Sequence, residues 1–497
     1  MPFYKRKIFI IPAILLLLFG ILMIPDAAEK KMSISDEVAF EWDQDETWEY
    51  LEESFVLARN LDGNLLDSMI LGLQKEAEDF LFPLAGANLN PEDSAFVELE
   101  VKFFSLAPLI AARQKHRPWL LKYYRFARIW LKKQSQNWDM EDRISRNTLY
   151  RLFYGMRAAV EEVLLQSEGL EFDAAMFVEE ESSATPSTNI FGIEVHSGDL
   201  LVSRGGAEAS AFISRGNDYP GNFSHVAMIY IDEEEHRPYL VEAHIERGVD
   251  VASVSEYLKD TKLRFMVLRP RSDLDQLIED PMLPQKAAKA AYDESQARHI
   301  PYDFKMNFHD STAMFCSEVG SYAYKKKGLR LWQAESTISS PGVVEWLNTF
   351  GVENFVTQMP SDLEYDPQLT VVAEWRDPET LYKDHIDNAV MDAMWLSADQ
   401  GKQIDHNPFM LPIARGLKGY CMMLNAMGTE GLIPEGMSAT QALKNNSFVE
   451  KYQAIRELTL QKAEAFQTEN KYLPPYWEMI ILAEEAQQEL NLYVDES

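Results

Sequence analysis

Hydrophobic and polar positions change their spacing along this chain in three broad stages. Near the start, Trp48, Leu51, Phe55 and Ala58 recur at intervals of three, four and three, which places them on one stripe of a helix. Similar periodicity predicts helices over 65–82, 93–112, 119–133 and 147–165. Pro83 and Pro91 bound a loop, Pro108 suggests a kink, and Pro118 marks a helix start. Residues 32–178 therefore read as a helical domain, with Phe103, Phe104, Tyr123, Tyr124, Phe126 and Trp130 in its core.

Residues 179–189 read as a linker, because EEESSATPST supplies charge, Ser, Thr and Pro without an apolar period. Short branched runs follow and predict strands at 200–202, 226–231, 240–245 and 265–268. A helix fits 285–298, and the strand-like IPYDF comes after it. A further helix starts at Cys316 and ends at Gly328, with Lys325, Lys326 and Lys327 suited to its last turn. Strands followed by helices predict an α+β domain over 190–345. The remainder, 346–497, is mainly helical: 389–396, 440–443 and 448–466, a candidate strand at 371–375, and an acidic helix after Pro474 and Pro475.

A length of 497 residues implies two or three domains, and 46% hydrophobic with 25% charged residues is a folded composition. The formal charge of −32 argues against nucleic acid, or an anionic membrane face, as the main partner. Two cysteines, Cys316 and Cys421, cannot build a disulfide framework. No C-x-x-C or H-E-x-x-H motif occurs, so a zinc site has no support in the sequence, and the thiol chemistry considered below requires neither a metal nor an organic cofactor.

Lys5, Arg6 and Lys7 precede an apolar run at 8–24, interrupted by Pro12 and Gly20. Its length falls between a secretory core of about 7–15 residues and a bilayer span of about 17–25. Pro25-Asp26-Ala27-Ala28 is a poor cleavage site, so residues 1–27 are expected to be a signal anchor, with a cleaved signal peptide as the alternative. Either way the body is expected outside the cytoplasm, tethered to the inner membrane or free in the periplasm.

The candidate chemistry lies between Gly198 and Gly328. A thiol attacks as its thiolate, and a helix N-terminus or a neighbouring imidazolium favours that form. Cys316 is expected at such a helix start, which also offers backbone donors to an oxyanion. His225 opens a strand, and alternation turns it away from the face shared by Val226 and Met228. A third group must hold the other imidazole nitrogen. Glu242 and His244, two apart on the next strand, are the candidates. Glu242 is preferred because a carboxylate stabilises imidazolium better than a second imidazole does.

Gly198-Asp199-Leu200, Ser224-His225-Val226, Val241-Glu242-Ala243 with Gly248-Val249, Pro301-Tyr302-Asp303-Phe304 and Phe315-Cys316-Ser317-Glu318 occur in that order. The series resembles the YiiX/YebB-like group of NlpC-type cysteine hydrolases, circularly permuted papain-like enzymes in which histidine precedes cysteine. The resemblance covers 198–328 and implies a permuted papain-like core with acyl-transfer chemistry. In it Cys316 would be the nucleophile, His225 the base and Glu242 the orienting residue, while Tyr302, Asp303, Ser224 and Ser317 would shape the substrate site. The function implied is an exported cysteine amidase or peptidase acting on cell-wall peptides or a similar amide. A lipid acyl hydrolase or acyltransferase with the same chemistry is the first alternative. A non-catalytic exported scaffold is the second.

Overall fold

A computed structural model of the protein describes residues 16–24, 26, 37–42, 45–167, 172–427, 429 and 431–495. Lys5, Arg6, Lys7, the first half of the apolar run, Pro25, Ala27 and Ala28 lie outside them. Among the described residues no helix is long and apolar enough to cross a membrane.

After a helical stretch at 16–22, five α-helices lead into the sheet: α1 (Asp45–Arg59), α2 (Gly63–Leu81), α3 (Ser94–Ala112), α4 (Arg117–Ser135) and α5 (Arg143–Leu165). Asp62, Asp93 and Asp142 cap α2, α3 and α5 by accepting backbone N–H groups of the first turn. Leu51, Phe55 and Ala58 are buried as the stripe predicts, and Pro108 sits inside an α3 that runs on to Ala112.

The centre is a seven-stranded sheet with every neighbouring pair antiparallel. Its strands are β1 (Ala175–Phe177), β2 (Leu200–Gly205), β3 (His225–Ile231), β4 (Pro238–His244), β5 (Gly248–Ser253), β6 (Lys262–Pro270) and β7 (Leu369–Arg376), in spatial order β1-β7-β6-β2-β3-β4-β5. The sheet thus reaches beyond the expected limits of 190–345 at both ends. β7 lies between β1 and β6, and the short β1 pairs with it. The Ile300–Phe304 stretch makes only a single bridge, Tyr302 to Met314, instead of a strand. The polar segment after residue 179 is tied down: the Glu181 carboxylate accepts from Thr370 Oγ1 at 2.7 Å, and Thr185 Oγ1 donates to the Ser197 carbonyl at 2.8 Å.

Besides two single-turn helices at Val254–Tyr257 and Asp275–Glu279, three longer ones interrupt or follow the strands: α6 (Glu208–Arg215), α7 (Leu283–Ala297) and α8 (Cys316–Lys325). One face of the sheet, with Val202, Val226, Met228 and Val241, packs on Val319, Ala323 and Tyr324 of α8. The other face, with Leu201, Ala227, Ile229 and Leu240, packs on a small hairpin through Ile190, Ile193 and Val195. The chain finishes with α9 (Pro341–Thr349), α10 (Leu381–Asp399), α11 (Leu411–Ala426), α12 (Ala439–Asn470) and α13 (Tyr476–Asp495).

Buried ion pairs join these parts. Glu364, just before β7, is completely buried and accepts from Arg128 of α4 at 2.6 Å and Arg157 of α5 at 2.6 Å. Glu161 of α5 meets Arg264 of β6 at 2.7 Å and His385 of α10 at 3.1 Å. Asp384 of α10 is shared by Arg204 of β2, at 3.1 Å, and Arg264. Side chains from the first helices, the sheet and the last helices therefore share one polar core.

Candidate active site

The site forms where the start of β3 meets the start of α8. His225 is the first residue of β3, so its ring stands at the rim of the sheet, 22% exposed, instead of inside either packed face. Glu242 lies in β4 opposite Ala227, two residues along β3 from His225, and points to the same side. Its carboxylate accepts from His225 Nε2 at 2.6 Å. That contact leaves Nδ1 as the ring nitrogen that can serve the sulfur of Cys316, which is close enough to help raise the His225 pKa.

Cys316 opens α8 and is 5% exposed. Its position depends on close packing of the helix against β2. A Cβ on Gly320 would come within 2.9 Å of Leu200 Cδ2, so a larger residue there would have to displace the leucine side chain or lift the helix from the strand. The thiol also points to the Ser224 carbonyl, at 3.9 Å. Phe315 N–H, before the helix, is taken by Glu318 Oε2 at 2.9 Å. The next two N–H groups, of Cys316 and Ser317, have no protein acceptor among the described residues. They are the donors available to an oxygen above the sulfur.

The charges follow from these contacts. Burial alone would pull the His225 pKa down, but hydrogen bonds with Cys316 and Glu242, and the charges on both, push it up to about 10. Burial works to raise Glu242, yet its hydrogen bonds to His225 and His244 hold it well below the usual carboxylate range. At neutral pH the pair is an imidazolium on a carboxylate, facing the thiol.

The other expected residues divide. His244 donates to the second Glu242 oxygen at 3.1 Å, so it orients the carboxylate without reaching His225 through a hydrogen bond of its own. Tyr302 is half-buried, and burial with the charges of Cys316 and Asp303 pushes its phenol well above its ordinary value, leaving a neutral O–H beside the sulfur. Asp303 turns inward to the backbone, accepting from Lys305 N–H at 2.8 Å and Asn307 N–H at 2.7 Å. It shapes the loop and does not reach the thiol through a hydrogen bond. The Ser224 hydroxyl is bonded to Ser210 of α6, so Ser224 meets the thiol by its carbonyl and not its side chain. Ser317 is fully buried, and its hydroxyl has no partner.

One participant was quoted in the motif without a role. Glu318, three residues after Phe315, is driven up to about 9 by burial and by the nearby Asp303 and Cys316 charges, against the Phe315 N–H bond. It is therefore a neutral acid under the nucleophile. A capping-box spacing before an apolar run was the available signal. Gly248, at φ +75°, turns β4 into β5 where any Cβ would strike the Ile300 carbonyl at 2.1 Å. Val249 N–H then holds that carbonyl at 2.9 Å, which fixes the Tyr302 loop beside the site. Among the described residues no group of three His, Cys, Asp or Glu side chains is placed to hold a metal ion.

Residues 194–373 match the model of a family described as permuted papain-like amidase enzymes, YaeF/YiiX, C92 family. The central domain is of this permuted papain-like amidase family. A similar solved structure is the crystal structure of the metalloprotein YiiX from Escherichia coli O157:H7, 21% identical over 36% of this chain and 98% of that one, with a TM-score of 0.30. No curated protein matches the chain. The matched segment includes β2 to β6, the first part of β7, α8 and every residue discussed at the thiol site, and leaves α1–α5 and α10–α13 outside. An amidase-type hydrolase acts on an amide, and the α+β core agrees with the fold expected from the resemblance.

Proposed function

We propose that this protein is an exported, membrane-tethered cysteine amidase or peptidase whose site is Cys316, His225 and Glu242. The observation that carries the reading is the imidazole held between a helix-start thiol and a buried carboxylate, in the order and place the amidase family match covers. In the proposed reaction the Cys316 thiolate attacks the amide carbon, forming a C–S bond while the carbonyl oxygen becomes an oxyanion. The N–H groups of Cys316 and Ser317 stabilise that oxyanion. His225 gives its Nδ1 proton to the leaving nitrogen as the C–N bond breaks. Water, losing a proton to the now neutral His225, then cleaves the thioester and releases a carboxylate and the thiol. Glu242 acts through His225 and is a positioning residue.

Support for the membrane reading comes from α11. Ile413, Leu417, Tyr420 and Met427, at spacings of four, three and seven, form an apolar stripe 37–63% exposed to solvent. Beside it Arg415 donates to the Leu22 carbonyl at 2.9 Å and the Ile24 carbonyl at 2.7 Å, pinning the end of the N-terminal apolar run there. An anchor leaving the bilayer at that point brings α11 to the membrane surface. The same patch favours the second reading, a lipid acyl hydrolase or acyltransferase with the same thiol chemistry.

The test is an electrophilic thiol probe on the intact protein, competed with peptidoglycan fragments and, separately, with lipid esters. Labelling of Cys316 but not Cys421, protected by the peptide fragments, is expected. Protection by lipid esters instead selects the second reading, and a Cys316 as inert as Cys421 returns the protein to the scaffold class. Sequencing the mature N-terminus tests the anchor: a chain beginning near Ala28 rules it out.

A further inference from the structure

A second site lies apart from the thiol. A cavity of about 490 Å³ opens between α1, α3 and α5 on one side and α10 and α13 on the other, with the loop after α6 at one end. None of Cys316, His225, Glu242 or Tyr302 lines it.

Its walls are aromatic, with Trp42, Trp48, Phe104, Tyr154, Trp395 and Trp477 prominent. Trp48 and Trp477 stack with 5.8 Å between ring centres and 10° between planes, and Trp42 meets Trp48 edge-on at 5.8 Å. Such interlocked rings keep the walls apart. An apolar cavity of about 150 Å³ admits one benzene ring, so this one has room for a long alkyl chain.

The polar groups in the wall are mostly spoken for. Arg215 is clamped on Asp392 at 2.7 and 2.8 Å and bonds Tyr154 Oη at 2.9 Å. Glu52 accepts from Tyr472 Oη at 2.7 Å and Trp477 Nε1 at 2.8 Å. Trp395 lines the cavity and is 6% exposed; among the described residues its indole N–H has no partner, and the nitrogen itself is enclosed by its neighbours, with no surface open to the cavity. The wall also carries four carboxylates, Glu52, Glu162, Asp392 and Asp399, against the single guanidinium of Arg215, which disfavours an anionic head group.

We infer that this cavity binds a single long alkyl chain with an uncharged head group, as in an acyl ester or amide, the aromatic walls taking the chain and the wall carboxylates excluding an anionic end. The site needs no turnover at Cys316, so it stands or falls independently of the hydrolase reading.

The intact protein is titrated with methyl ketones of ten to eighteen carbons, which the thiol cannot cleave as esters, following tryptophan fluorescence and calorimetry. The free fatty acid and the alkane of equal length are the comparisons. Saturable binding of the ketone, at least tenfold tighter than the acid at pH 7, is expected. Ala159→Trp, which fills the cavity from α5, should weaken ketone binding at least tenfold while Cys316 labelling is unchanged. Ala111→Trp, which fills the cavity from α3, should weaken the ketone by a similar factor, and it serves if Ala159→Trp does not fold. A monoacylglycerol should compete, and phosphatidylcholine vesicles should not; the reverse overturns the single-chain assignment. No saturable binding of any chain length, or binding indifferent to both substitutions, overturns the site.

Discussion

The hydrogen bond between His225 and Glu242 decides what pH does to this site. Because the imidazolium persists up to about 10, the alkaline limb of kcat/KM should lie near that value, where the acid that protonates the leaving group is lost. The same raised pKa contributes stability that is complete below 6.5 and disappears as pH rises through about 10. Glu242→Gln removes the carboxylate charge, so the alkaline limb should move to lower pH and kcat/KM should drop by about 10²–10⁴-fold. His244→Gln should cost less, since it loosens the carboxylate without unpairing the imidazole; pH–rate profiles of both variants check the ranking. Glu318 behaves in the same sense, over a wider range. It ionises near 4.5 when unfolded but near 9 when folded, so its proton stabilises the native state at low pH and that contribution declines between those values. Glu318→Gln should therefore retain more stability than the parent at pH 9 relative to pH 5, measured by urea unfolding at both. The roles of Cys316, His225 and Glu242 could be read as candidates because nucleophile, base and carboxylate each sit at a strand or helix position that local pattern reveals. The protonated state of Glu318 could not, because it depends on burial beneath Asp303, which is fifteen residues away and brought close only by the loop.

At the scale of elements, α8 holds the thiol only as firmly as it packs on β2. Gly320→Val should place a branched side chain against Leu200 and cost about 1–3 kcal/mol. The loss is expected in urea unfolding together with slower Cys316 labelling, since the helix start would shift with the helix. Most helices and the inner strands were legible because their apolar faces recur at the right period. The misses have physical causes. The α12 helix runs unbroken through Lys444-Asn445-Asn446-Ser447, a polar stretch of weak helix formers, because Phe448, Tyr452 and Ile455 are buried against the helices around them. The three-residue β1 has no pattern long enough to recognise, and exists only because β7 offers it an edge. The apolar face of α11 is turned outward, where periodicity alone would place it inside.

Across the whole molecule, the arginines of α4 and α5 were the least legible feature. Charged positions in a helix ordinarily mark its solvated side, and nothing local discloses that Arg128 and Arg157 meet a carboxylate more than two hundred positions later. Burial raises the Glu364 pKa and the Arg157 and Arg128 charges lower it, with the net effect downward. Glu364→Ala would leave the buried Arg157 without a carboxylate and Arg128 with Glu374 alone, and should cost about 3–5 kcal/mol. Because that carboxylate bridges helices and sheet, the loss should appear in one cooperative transition by calorimetry, not as separate melting of the first helices. A further consequence concerns dissolved electrolyte. Mobile ions weaken attraction between charges they can surround, and at 1 M their screening distance is only about 3 Å. They have no path to a fully enclosed group such as Glu364, so raising sodium chloride from 0.1 to 1 M should leave the melting temperature nearly where it was. A fall of many degrees would mean that water reaches these joints.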